Sequence, residues 1–301
     1  MGLLFSSIET QFSMASTASS HSSNTALNYT SHIAHVDVYC QKATTTASSN
    51  LVMVQKISNI NINTQGGTPE ISIQAQDLLD FDISAWGYAP YITAASSTDE
   101  ALEAISLPYY FSPYPEDPTE PYGIQPLQMN QFVVNWIADV SHTFDNYVYD
   151  LYFEGVNPKA TNGYIVANQD KETMVVGSPT WTKAFGKVLL GVFYGNGGTF
   201  IDDVAADGAY NVTAVRTNAV TNSRNIIFGP FTPMRATAIN RWPMSSPVSQ
   251  TLLDDGDLFM NYGMFNNTGN GGININGQSN IEIQTVGGTT DVITIYPIVL
   301  R

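Results

Sequence analysis

Short segments in which every second residue is apolar recur from one end of this chain to the other. "HVDVYC" (35–40) sets Val36, Val38 and Cys40 on one side, "NININ" (59–63) does so with Ile60 and Ile62, and "EISIQ" (70–74) with Ile71 and Ile73. "LDFDISAW" (79–86) places Leu79, Phe81, Ile83 and Ala85 against Asp80, Asp82 and Ser84. The pattern continues in "YVYDLYFEGV" (147–156), "YNVTAVRT" (210–217), "RATAINR" (235–241) and "DVITIYPIV" (291–299). Successive strand residues face opposite sides of a sheet, so this alternation predicts half-buried β-strands. Many short strands separated by Gly, Pro and Asn imply an antiparallel sandwich or barrel.

Helix signals are few. "STDEALEAISL" (97–107) offers Ser97 or Thr98 as an N-cap with acids in the first turn, and "SSPVSQTLL" (245–253) is a second candidate. "TWTKAFGKVLLGVF" (180–193) fits a helix or a buried strand. Leu4, Ile8 and Phe12 stand at i, i+4 spacing, which predicts a short amphipathic N-terminal helix. Residues 13–31 are rich in Ser and Thr and read as an arm. Residues 108–126 hold six prolines and cannot form a central strand or helix, so they read as a long excursion; 157–163, "NPKATNG", reads as a linker. The expected organisation is an arm over 1–31, a first sandwich over 32–156 with the excursion 108–126, and a second over 164–301. The fold class is all-β: two tandem eight-stranded antiparallel sandwiches with a few short helices.

Charge narrows the function classes. The 301 residues carry a net charge of −15, and only 12% are charged, against about 25% in an ordinary globular chain. No Lys or Arg precedes Lys42, so the basic arm with which a coat protein grips nucleic acid is missing, and direct contact with nucleic acid is not expected. Cys40 is alone, which excludes an intrachain disulfide and suits a small strand residue. The first residues lack the basic and apolar regions of a signal peptide, so secretion is not expected; Gly2 and Ser6 match the short myristoylation pattern. Residues 57–158 contain fourteen Asp or Glu and no Lys or Arg, whereas 208–253 contain Arg216, Arg224, Arg235 and Arg241 and no acid. This asymmetry predicts that the acidic half of one subunit meets the basic segment of the next, with the four arginines as interface candidates.

The faces between the isoleucines carry Asn and Gln where Lys and Glu are usual. "NININTQ…EISIQ" (59–74) and "GININGQ…IEIQ" (272–284) are near-copies, read as similar hairpins and not as a duplication, because their places in the two halves do not correspond. Neutral amides are far cheaper to bury against a neighbour than charges, and they hydrogen-bond across wet contacts.

No catalytic constellation emerges. His32 and His35 fall on opposite faces of a strand, and no Cys cluster or H-E-x-x-H accompanies them. Ser141, His142 and Asp145 are close in sequence without a nucleophile elbow, and "YGNGGT" (194–199) lacks the Lys of a phosphate loop. Asp254, Asp255 and Asp257 around Gly256 are a weak candidate for a structural calcium ion; no other cofactor is expected.

A strand-dominated, charge-poor chain of this length, with two sandwich-sized halves and a polar arm, resembles the double jelly-roll major capsid proteins of icosahedral viruses. Those of tailless, membrane-containing bacteriophages and archaeal viruses are closest in size. The resemblance covers the whole chain and rests on layout, not on a motif, so no residue roles carry over. It implies a non-enzymatic homotrimer whose six sandwiches form a pseudo-hexagonal capsomer. Such capsomers pack against one another and other virion proteins into an icosahedral shell around an internal membrane. Leu3, Leu4, Phe5 and Ile8 would then face that membrane or a neighbouring tile. The protein would be made in the host cytoplasm and reside in the virion. The alternative is a carbohydrate- or receptor-binding β-sandwich, such as a viral spike or adhesin, with Tyr109, Tyr110, Tyr114 and Tyr122 stacking on sugars. A hydrolase with an unassigned carboxylate pair is a third reading.

Overall fold

The computed structural model describes residues 4–8, 19–23, 30–42, 57–64, 69–86, 102–112, 122–124, 129–136, 144–156, 163–167, 170–174, 180–182, 188–195, 215–221, 224–231, 258–261, 273–274, 280–282 and 291–300. The chain divides into two compact units, Met1–Leu79 with Pro90–Ile165, and Asp80–Ala89 with Val166–Arg301. Both are built mainly of strands, with one helix among the described residues.

The first unit contains β1 (Leu4–Ile8), β2 (Ser19–Ser23), β3 (Thr30–Lys42), β4 (Ile57–Thr64), β5 (Pro69–Ile73), β6 (Leu102–Tyr110), β7 (Met129–Trp136) and β8 (Phe144–Val156). They form two antiparallel four-stranded sheets, in the orders β1-β8-β3-β6 and β2-β7-β4-β5. The pairing is nested: the first strand meets the eighth, the second the seventh, the third the sixth and the fourth the fifth. A ribbon folded in half and then rolled has this order.

Alternation works as expected in the β4–β5 hairpin. Ile60 pairs with Ile73 and Ile62 with Ile71, and all four are fully buried. At about 25 cal/mol per Å² of apolar surface, such a row is a main source of the sheet's stability.

Three local expectations give way. Residues 4–8 form a strand, not a helix. A helix that short leaves its terminal N–H and C=O groups unpaired, whereas β1 pairs with β8 from Leu4↔Gly155 to Ile8↔Leu151. With β2 and the start of β3, this strand takes part of the expected arm into the first unit. The proposed helix at 97–107 is replaced by β6, whose Leu107 is fully buried and pairs with Val36. Long-range pairing there outweighs the local cap signal.

The third case runs the other way, since "LDFDISAW" belongs to a helix, α1 (Ala75–Trp86). Ala75, Leu78, Leu79, Phe81 and Ala85 are buried while Gln76 and Trp86 are half-buried, so the positions that alternate also fit a largely buried helix. Leu78 N–H donates to the Gln74 carbonyl at 2.9 Å, and Asp77 lies in the first turn, near the positive end of the helix dipole. Asp80 and Asp82 are buried as well. Neither carboxyl oxygen of Asp82 has a hydrogen-bond partner, and burial pushes its pKa well above the ordinary carboxylate range.

The second unit repeats the nesting. After β9 (Ile165–Ala167) come β10 (Asp170–Met174), β11 (Thr180–Thr182), β12 (Val188–Gly195), β13 (Val215–Thr221), β14 (Arg224–Phe231), β15 (Leu258–Asn261), β16 (Ile273–Asn274), β17 (Asn280–Glu282) and β18 (Asp291–Leu300). β10 pairs with β18, β11 with β17, β12 with β15 and β13 with β14. The main sheet runs β10-β18-β12-β15, with β16 also on β12 and β9 on β18. Phe193 on β12 anchors the core, with its ring 5.6 Å from Phe81 edge-on and 6.0 Å from Tyr296. The ambiguous 180–193 segment therefore contributes strands, while the expected strand at 235–241 and helix at 245–253 lie outside the described residues.

Candidate assembly surfaces

Register places Val36 beside Leu107 and Leu151, with Leu107 buried. The opposite phase carries His35, Asp37 and Tyr39 on β3, opposite Tyr152, Asp150 and Val148 on β8 and Pro108, Ser106 and Ala104 on β6. Asp37 and Asp150 are thus directly paired, and Ser106 on the other side of Asp37 is half-buried. Sequence reasoning missed this carboxylate pair, because two residues 113 positions apart become neighbours only once the register is known.

On β4 and β5 the amide phase is half-buried and joined side chain to side chain. Asn59 Nδ2 donates to Asn61 Oδ1 at 2.8 Å and to Ser72 Oγ at 2.9 Å. The network keeps the amides ordered without any charge, which suits a face meant for polar contact.

Of the interface arginines, Arg224 opens β14 and pairs with Thr221 at the turn end of its hairpin. Arg216 lies on β13, where the register shifts between Val215 and Thr217. Arg235 and Arg241 lie outside the described residues. Leu4, Phe5 and Ile8 occupy β1, at one edge of its sheet, and Leu3 falls outside. Asp254, Asp255 and Asp257 also fall outside; among the described residues no group of three or more His, Cys, Asp or Glu could hold a metal ion.

The base of the proline-rich excursion is closed. Gly123 N–H donates to the Gly163 carbonyl and Ile165 N–H to the Phe111 carbonyl, each at 2.8 Å. Tyr122 forms a parallel bridge with Gly163, and the Tyr109 hydroxyl donates to the Ile165 carbonyl at 3.1 Å. Gly123 and Gly163 have φ of 150° and 148°, which a residue with a Cβ adopts only at a cost. Tyr109 and Tyr122 are 3% and 8% exposed, so neither presents a ring to a sugar. Tyr110 is half-buried, and Tyr114 lies outside the described residues. Two of the four tyrosines on which the lectin alternative rested are therefore structural.

No protein-family model matches the sequence, and no curated protein matches it. Solved structures do match over almost the full length. The STIV MCP, from Sulfolobus Turreted Icosahedral Virus, aligns with a TM-score of 0.69 at 9% identity, covering 99% of this chain and 96% of that one. The major capsid protein P2 from bacteriophage PM2 aligns at 0.65 and 8%, covering 100% and 98%. PBCV-1 VP54 aligns at 0.62 and 8%, covering 99% and 94%. The fold is that of viral major capsid proteins. At such identities the likeness lies in the fold alone. Among the described residues no helix is long and apolar enough to cross a membrane.

Proposed function

We propose that this chain is a major capsid protein, a structural subunit without catalytic function. The observation that carries the reading is the two-way coverage. The chain and the STIV MCP align over 99% and 96% of their lengths. Each unit is a jelly roll, with eight principal strands nested as a rolled hairpin, and two such units follow in tandem. Three copies form a pseudo-hexagonal capsomer, and capsomers tile an icosahedral shell around an internal membrane. The low charge and the half-buried amide phase of β4 fit a protein surrounded mostly by its own copies. Leu4, Phe5 and Ile8 lie on an edge strand at the start of the chain, where they can meet the membrane or a neighbouring capsomer. The protein accumulates in the virion after synthesis in the host cytoplasm.

Light scattering on the purified protein, over a range of concentration and salt, tests this reading. Three times the monomer mass, or larger closed assemblies, is the expected result. A monomer under all conditions would overturn it.

A further inference from the structure

The second unit is not one run of chain. Beside Val166–Arg301 it includes Asp80–Ala89, a short piece taken from between β5 and β6. The described part of that piece is the second half of α1. Phe81 packs edge-on against Phe193, which in turn meets Tyr296, and all three are buried, so this half-helix is set in the core of the unit. A helix closes its backbone hydrogen bonds within itself. The piece is therefore held by side-chain packing, and it can leave without breaking a sheet ladder.

Asp82 follows Phe81 in this half and is 2% exposed. Of the three buried aspartates on α1, it alone has both carboxyl oxygens without a hydrogen-bond partner. The helix positions one turn away are Leu78, Leu79, Ala85 and Trp86, none of which ionises. α1, β12 and β18 carry no Lys, Arg or His. Their ionisable groups besides Asp82 are Asp77 and Asp80 on α1, Tyr194 on β12, and Asp291 and Tyr296 on β18. Burial is the one cause of the raised pKa of Asp82, so none of these groups acts on it. An ionised carboxylate left buried and unpaired is very costly, and the site is sustained only by the neutral acid.

We infer that Asp82 makes the seating of Asp80–Ala89 a proton-controlled latch: with a neutral carboxyl the half-helix stays in the second unit, and with an ionised one it is released. The released half has no packing to support it, and so short a helix melts in water. The sign follows from linkage. The folded-state pKa lies above the unfolded value of about 3.9, so seating is firmest below that value and weakens as pH rises toward the folded pKa. The latch goes beyond the capsid reading and does not depend on it.

Hydrogen exchange on the full-length protein, read by mass spectrometry on fragments covering 75–86, tests the latch, with fragments from β12 and β18 as internal reference. Opening of 80–86, corrected for the base-catalysed exchange of an open chain, is expected to rise about tenfold per pH unit above about pH 4. Over the same range β12 and β18 stay protected. In Asp82→Asn the rise disappears. Should that variant fail to fold, Asp82→Leu gives the same reading with an apolar side chain of similar size in the site. Opening that is flat with pH in the wild type would overturn the latch, as would a rise that persists in either variant. An equal rise in β12 and β18 would overturn it too, because the unit would then open as a whole. Each of these outcomes is separate from the mass of the assembled protein, which decides the capsid reading.

Discussion

The hairpins β4–β5 and β13–β14 hold the same place in the nested order of their units, each being its innermost pair, yet they are written in different chemistry. The first is isoleucine on one phase and amide on the other, with Glu70 as its only charge. The second carries Arg216 and Arg224 and no acid. What they share is strand length, alternation and a turn, and these are sufficient for pairing. What differs is the charge carried in their sequences. The path of the chain is thus repeated from unit to unit, while the charges are not.

This contrast can be broken by mutation, and the largest effects belong to the first hairpin. Ile60→Ala or Ile62→Ala empties a fully buried site and is expected to cost about 2–5 kcal/mol. Calorimetry is then expected to separate an early transition of the first unit from a later one of the second. A single unchanged transition would contradict the division into two units.

Asp82→Asn comes next. The folded-state pKa of Asp82 lies above the unfolded value of about 3.9, so the native state binds this proton more tightly. Its contribution is most favourable below that unfolded value and is lost as pH rises through the folded pKa. The Asn variant has no such loss. Its Tm is expected to exceed that of the wild type by a few degrees at neutral pH, where about 1 kcal/mol corresponds to roughly 2–4 °C, with the gap closing as the pH falls toward 4. A gap independent of pH would mean that the Asp82 carboxyl is not the cause.

Asn59→Ala removes two side-chain hydrogen bonds on a half-buried face, with an expected loss of about 1 kcal/mol in denaturant unfolding. Arg224→Ala is expected to be smallest in stability, within about 0.5 kcal/mol, while still weakening association. Stability and assembly should therefore separate cleanly between the two hairpins. A large stability loss in Arg224→Ala would show that its charge serves the unit itself.

The strands were largely readable because alternation is a local record of a sheet with unlike faces. Partners were not. "NININTQ…EISIQ" folds back on itself as expected, with Ile62 against Ile71, but its near-copy does not. There Ile273 on β16 pairs with Leu189 on β12, and Ile281 on β17 pairs with Trp181 on β11. Identical alternation specifies a face and leaves its occupant to whichever large apolar strand the rest of the chain brings. Helix α1 was missed because its acids, Asp77, Asp80 and Asp82, are buried with its apolar residues and imitated the exposed phase of a strand. The Asp37–Asp150 pair was invisible for a simpler reason, since register is a property of two segments and sequence is read one segment at a time.

The nested pairing also fixes a timetable. β1 finds its partner only when β8 exists, and β10 only when β18, at the end of the chain, has been made. Such long loops must close before their contacts repay the lost entropy, so each unit is a slow folder for its size. The first can close while the second is still on the ribosome, as domains generally do. The second waits for β18. A chain cut before β18 lacks the central partner of β10 and β12 and cannot complete the second unit.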